Sequence, residues 1–72
     1  MKTITKNNLS LYIVEDGANV VIESDKITVN NPRKFIISDL NSGNAVLHDG
    51  VIPPNDWIGG KYNYDGTNWS LA

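Results

Sequence analysis

The sequence contains no cysteine, which excludes a disulfide framework and thiolate metal sites. No stretch approaches the ~20 apolar residues of a transmembrane helix, and the N-terminus has no signal-peptide core. Basic residues are few and scattered and the net charge is −2, so neither nucleic acid nor a membrane is an expected partner. A chain of 72 residues can build one small core, and we predict a single β domain over residues 1–72.

Residues that favour helices are also scarce, because Ala occurs three times and Gln never. Eight Ile, six Val and four Thr are β-branched and pack well on a pleated surface. No window has a sustained apolar period of 3.6. The sequence therefore predicts an all-β fold: a small antiparallel meander, sandwich or partly open barrel of about six to eight short strands.

Two short loops organise the first half of the chain. A type I′ hairpin at Asp16-Gly17 would place Ile13 opposite Val20, and a second loop at Ser24-Asp25 would place Ile22 opposite Ile27. Together these registers gather the apolar side chains of a three-stranded meander on one face. The residues expected to be buried are Leu11, Ile13, Val20, Ile22 and Val29.

Pro32 lacks an amide hydrogen, so residues 30–33 are predicted to break the sheet. A fourth strand should follow over residues 34–40, with Phe35 and Ile37 on one face.

After a turn-forming cluster, residues 45–48 are predicted to return as a fifth strand beside the fourth. Its register stays open, because Ile37 faces His48 with a two-residue loop and Leu47 with a three-residue loop. The second is preferred.

The last segment predicts an aromatic hairpin. A type I′ loop at Asp65-Gly66 would pair Tyr64 with Thr67 and Tyr62 with Trp69, so that both tyrosines, Trp69 and Leu71 share one face. Gly59-Gly60 would let the indole of Trp57 fold back over this hairpin.

The candidate interaction residues are four aromatic side chains: Trp57, Tyr62, Tyr64 and Trp69. Such rings could form a platform for a sugar. A chain with one Phe and one Met, however, needs large side chains for its own core, which favours core or subunit contact over a ligand platform. Bases are less favoured still, because only Lys61 supplies a positive charge nearby.

Catalytic patterns are missing from the sequence. His48 is the only histidine, and no Gly-x-Ser-x-Gly elbow supplies a nucleophile. Most carboxylates fall in predicted turns, and their spacing matches neither a calcium loop nor a glycosidase pair. We therefore expect no enzymatic activity, no catalytic residues, no metal and no cofactor. Short antiparallel strands also leave open edges, so a homo-oligomer or docking onto another protein is expected.

The segment from Pro54 to Trp69 matches the pattern Pro-x-x-Trp/Tyr-x-Gly-Gly-x-Tyr-x-Tyr/Phe-Asp-Gly-x-x-Trp. This pattern resembles the C-terminus of small tailed-phage virion and tail-fibre-associated proteins. The opening residues 1–13 are similar to the start of short marine-phage proteins, and both stretches together cover under half the chain. In that family the matched positions would be architectural: Trp57, Gly59, Gly60, Tyr62, Tyr64, Asp65, Gly66 and Trp69.

The resemblance implies a bacteriophage virion protein, a capsid decoration or a tail-associated protein, whose partners are other capsid or tail proteins. With its own Met1, the chain is expected to be a stand-alone gene product. An alternative is a small carbohydrate-recognition module whose aromatic face contacts a host surface glycan. A third possibility is an inhibitor of a host protein, although the large charged or apolar patch that it would require is not evident.

Overall fold

The computed structural model describes residues 1–30 and 34–72 and shows an all-β fold, as predicted. Within these residues it contains eight strands in a curled, half-barrel sheet and a second, smaller sheet. No helix in the described residues has the length and apolarity needed to cross a membrane. The strands are β1 (Lys2–Lys6), β2 (Leu9–Val14), β3 (Asn19–Ile22), β4 (Ile27–Asn30), β5 (Phe35–Ile37), β6 (Val46–His48), β7 (Tyr62–Tyr64) and β8 (Trp69–Leu71).

The larger sheet has the strand order β6-β1-β2-β7-β8, and the smaller sheet has the order β3-β4-β5. Strand β1, which is not among the strands predicted from the sequence, pairs with both β2 and β6. Asn7 and Asn8 connect β1 to β2 with φ angles of 52° and 67°. Two consecutive positive φ angles are typical of a type I′ turn, whose twist suits an antiparallel hairpin.

The hydrophobic core joins the two sheets. Ile4 of β1 is completely buried, as is Ile27 of β4, and Val29 and Ile37 of the smaller sheet are nearly so. Leu40 and two alanines complete this cluster from the connecting segments. Of the residues predicted to be buried, Val29 belongs to the cluster, and Leu11, Val20 and Ile22 pack against it while partly exposed.

The predicted hairpin between β2 and β3 is wrong. A turn does form, because the Ala18 amide donates to the Glu15 carbonyl at 3.0 Å, but neither Asp16 nor Gly17 has a positive φ. The type I′ geometry that would twist the two strands together is therefore missing. Strand β2 pairs with β1 and β7 instead, and the turn carries the chain from one sheet to the other.

The pairing of β2 with β1 also changes which side chains of β2 face the core. Ile4 lies opposite Tyr12, whereas Thr5 lies opposite Ser10, so Leu11 is an extra residue in this ladder. Beyond this bulge Val14 packs against the core. Ile13 is partly buried but lies outside the core cluster, so its predicted place in the core is wrong.

The second predicted hairpin is confirmed. Val20 pairs with Val29 and Ile22 with Ile27, and the Glu23 amide donates to the Lys26 carbonyl across the Ser24-Asp25 loop. The break predicted at Pro32 lies outside the described residues.

Strands β5 and β6 both exist, in shorter form than predicted, but they do not pair. Ile37 lies opposite Ile27, and His48 lies opposite Thr3. Both registers considered for Ile37 are therefore wrong. The reason is that β6 adds to the free edge of β1, a strand that the sequence analysis did not include.

Ile4→Ala tests the placement of the core. Removing this completely buried side chain should lower the free energy of unfolding by about 2–5 kcal/mol, because a cavity forms between the sheets. Urea denaturation followed by circular dichroism gives this value. Ile52 is 86% exposed, so Ile52→Ala should change stability by no more than about 0.5 kcal/mol. Equal losses in both variants would contradict this core.

Candidate functional site

Trp57 lies against β2. The sequence analysis placed it over the C-terminal hairpin, so that prediction is wrong. Two glycines bring the chain close to β2: a Cβ atom at Gly59 would lie 2.7 Å from the Leu11 carbonyl oxygen. Gly60 has a φ of 85°, and its amide donates to the Ser10 carbonyl at 2.8 Å. Because a side chain at Gly59 would collide with backbone, both glycines are needed for this approach.

Trp57 completes a chain of hydrogen bonds that the sequence analysis missed. Its indole Nε1 donates to the Ser10 hydroxyl at 2.9 Å, across 47 residues of sequence. The Ser10 hydroxyl also lies 2.6 Å from the Thr3 hydroxyl, and Thr3 bonds to the Tyr12 carbonyl. Thr3 and Ser10 are fully buried, so each polar group has the partner that burial requires.

Tyr62, Tyr64, Trp69 and His48 form a group that we call the aromatic cluster. The Tyr64 and Trp69 ring centroids are 4.5 Å apart at a tilt of 39°, and Trp69 meets Tyr62 edge-on at 6.5 Å. His48 of β6 contacts Tyr64 edge-on at 5.1 Å. The structure therefore brings together three of the four candidate residues, adds His48, and places Trp57 elsewhere.

The register of the aromatic hairpin differs from the prediction by two residues. Tyr64 pairs with Trp69 and Tyr62 with Leu71, so the loop contains four residues, 65–68. The Asp65 carboxylate accepts hydrogen bonds from the amides of Thr67 and Asn68 at 2.8 and 2.7 Å, which stabilises the longer loop. Because side chains alternate with a period of two, the predicted common face is retained.

Asp56 anchors the segment before β7 through two side chains. Lys61 donates to its carboxylate at 2.8 Å and the Tyr62 hydroxyl donates at 2.7 Å. These two hydrogen bonds, that of Lys61 first, lower the pKa of Asp56 below its ordinary value of 3.8, and they raise the pKa of Lys61 and of Tyr62. Both hydrogen bonds are solvent-exposed, so this arrangement orients Tyr62 and adds little stability.

His48 is held by ring contacts. Its side chain forms no hydrogen bond within residues 1–30 and 34–72, and it packs between Tyr64 and the loop at Gly66. In the same residues no group of three or more His, Asp or Glu side chains could hold a metal ion. Tyr64 is 9% exposed, whereas Tyr62 and Trp69 are half-buried. The cluster is thus suited to packing and to apolar contact along its outer edge.

Comparison with known proteins gives no match to any family model, curated protein or solved structure. The resemblance to tailed-phage proteins thus stays a prediction.

Trp57→Phe tests the hydrogen bond to Ser10. The variant keeps an aromatic ring but loses the indole donor, so the free energy of unfolding should fall by about 1 kcal/mol beyond the effect of a smaller ring. Trp69→Phe is the matched control, because Trp69 makes ring contacts and no side-chain hydrogen bond in the described residues. Urea denaturation compares the two, and an equal or larger loss in Trp69→Phe would contradict the assignment.

The loop carboxylate should make stability sensitive to acid. Hydrogen bonds from the Asn68 and Thr67 amides lower the pKa of Asp65 below 3.8, so the fold favours the ionised form. This contribution is present above a pH of about 3.8 and is lost as pH falls through the lowered pKa of the folded state.

Melting temperatures measured between about pH 2 and pH 6 test this dependence. In Asp65→Asn the amide oxygen can still accept both bonds but does not titrate, so the acid-induced decrease should be smaller than in the wild type. Asp39→Asn should retain the wild-type profile, because the Asp39 carboxylate makes no hydrogen bond within the described residues. Identical profiles for all three proteins would be inconsistent with this role of Asp65.

Proposed function

We propose that the chain is a non-enzymatic accessory protein of a bacteriophage particle, a capsid decoration or a tail-associated protein, that acts by docking onto other virion proteins. The proposed location in a phage particle rests on the resemblance of residues 54–69 to tailed-phage proteins. The structural support for docking is an open apolar strand edge in the smaller sheet.

Strand β5 is this edge, because it pairs with β4 on one side and with no strand of the described residues on the other. It reads Phe-Ile-Ile, and both Phe35 and Ile36 are exposed, by 39% and 55%. Free backbone groups on an apolar edge strand favour the addition of a strand from another chain. Lysines or prolines that commonly protect such edges do not occur within β5 itself.

The outer face beside this edge extends the apolar surface. Val21, Thr28 and Ile36 lie opposite one another across the three strands, so their side chains form one row. Val21 is 46% exposed. A docking protein could therefore pair with the β5 backbone and cover this row at the same time. Such docking would bury apolar area and also hydrogen-bond the free N–H and C=O groups of the edge.

The aromatic cluster offers a second, smaller contact. Tyr62 and Trp69 are half-buried and Leu71 of the edge strand β8 is 67% exposed, on the same face of the hairpin. The rings meet edge-on or tilted, so they cover part of one another. This packing favours a role in structure or subunit contact over the stacking of a sugar on an open ring face.

Incorporation into phage particles tests the proposal. Gradient-purified particles of a phage that encodes this chain should contain it, as detected by mass spectrometry. Particles produced with Ile36→Lys should contain much less, because a charge at the β5 edge opposes strand addition. Particles produced with Ile52→Lys should contain the wild-type amount, since Ile52 is equally apolar, highly exposed and outside every strand.

Sedimentation equilibrium of the three purified proteins separates a homo-oligomer from docking onto a different protein. A concentration-dependent oligomer that only Ile36→Lys dissociates would identify a second copy as the occupant of the β5 edge. Presence of the chain in infected cells but not in particles would refute the virion role. Normal incorporation of Ile36→Lys would refute the role of β5.

A further inference from the structure

A polar groove lies on the side of the aromatic hairpin opposite the aromatic cluster. Its volume is about 400 Å³, within the range of small-molecule sites. The residues that line it, which we call the asparagine groove, are Asn7, Asn8, Asn63, Asp65, Asn68 and Ser70.

Two hairpins create this groove. The type I′ turn of β1 and β2 presents Asn7 and Asn8 on one side, and paired Asn63 and Ser70 present their side chains from β7 and β8. The Tyr64 amide donates to the Asn8 carbonyl at 2.6 Å and so fixes the two hairpins against each other. Backbone contacts therefore hold the walls in place, and the asparagine side chains remain available to a ligand.

Apart from the Asp65 carboxylate, the wall is uncharged, and it is rich in both hydrogen-bond donors and acceptors. Within residues 1–30 and 34–72, the side-chain amides of Asn7, Asn8, Asn63 and Asn68 form no hydrogen bond to another residue. Each amide offers two N–H donors and a carbonyl acceptor. The single carboxylate, Asp65, already accepts two amide hydrogen bonds through one oxygen.

This composition restricts the ligand class. Among residues 1–30 and 34–72, no lysine or arginine lines the groove to neutralise a phosphate, and no apolar side chain lines it to pack against an apolar side chain of a peptide. The vicinal hydroxyl groups of a sugar, by contrast, each donate and accept hydrogen bonds, and the facing asparagine amides do the same. A second groove of about 310 Å³ shares Asn7 and Asn8 and continues the polar surface past Ser42, Gly43 and Asn44.

We propose that the asparagine groove binds a neutral saccharide through its side-chain amides. This site differs from the β5 edge and from the aromatic cluster, so it adds glycan recognition to a docking protein. The shared turn at Asn7 and Asn8 provides a path by which an oligosaccharide extends into the second groove.

Nuclear magnetic resonance of ¹⁵N-labelled protein tests the proposal. The probes are methyl glycosides of glucose, galactose, mannose and N-acetylglucosamine, with maltotriose and chitotriose, each at up to about 20 mM, which detects millimolar binding. At least one should shift the side-chain NH₂ signals of Asn7, Asn8, Asn63 and Asn68 in a saturable way. Inorganic phosphate should leave these signals unchanged.

Two variants remove amides while retaining the fold. Asn7→Gly/Asn8→Gly keeps the positive φ angles, because Gly adopts them readily, and Asn63→Ala removes one amide from the strand side. Each should weaken binding about two- to tenfold, as expected for the loss of a neutral hydrogen-bonding group. Asn55→Ala is the control, since Asn55 is exposed and lies outside both grooves.

Three results would contradict the proposal. If none of the six sugars shifts the groove signals at these concentrations, the groove does not bind this ligand class and the proposal fails. If a sugar shifts the indole signals of Trp57 or Trp69 and not the asparagine amides, the binding surface is the aromatic one. Equal weakening by Asn55→Ala would also refute a specific role of the groove.

Discussion

The burial of β1 on both faces is the constraint on which the rest of the structure depends. Ile4 points into the core between the sheets, while its neighbours Thr3 and Thr5 point the other way, and all three are buried. A strand with two covered faces needs apolar packing on one side and satisfied hydroxyls on the other. The bond from Trp57 to Ser10, and from there to Thr3, meets the second requirement and draws the C-terminal third of the chain onto the sheet.

Gly59 and Gly60 connect this constraint with the placement of the last hairpin. They let the backbone pass close to Leu11 and donate to Ser10, so that β7 starts in line with β2. The β7–β8 hairpin then presents two chemically different surfaces. One side holds the aromatic cluster against His48, and the other side contributes Asn63 and Ser70 to the asparagine groove.

Local signals in the sequence were sufficient for the all-β class and for one hairpin. The pairing of Val20 with Val29 and of Ile22 with Ile27 follows from a short loop and from matching apolar faces. The common face of Tyr62 and Trp69 survived an error in loop length, because the error was an even number of residues. Each of these features involves residues that are near one another in the chain.

Competition between strand pairings that are distant in sequence explains the features that the sequence did not predict. Asp16-Gly17 is compatible with several turn types. Because β1 pairs with β2, β3 joins the other sheet, and the turn that forms is not type I′. The short Thr-Ile-Thr alternation of β1 gives little indication that it lies at the centre of a sheet. The asparagine groove likewise depends on the contact of two hairpins that are distant in sequence, and local signals indicate only turns and strands at its residues.

The junction between β2 and β7 has a further consequence. Its only ladder pair in the described residues is Leu9 with Asn63, reinforced by the amides of Gly60 and Tyr64. The residues of the core cluster, in contrast, all lie outside the β7–β8 hairpin. The β7–β8 hairpin is therefore tied to the sheet through fewer strand pairs than β1 is, and its main buried side chain is Tyr64. The exposed positions of this hairpin, among them Ser70 and Leu71, can accordingly vary with little effect on the core cluster, whereas Tyr64 and Asp65 cannot.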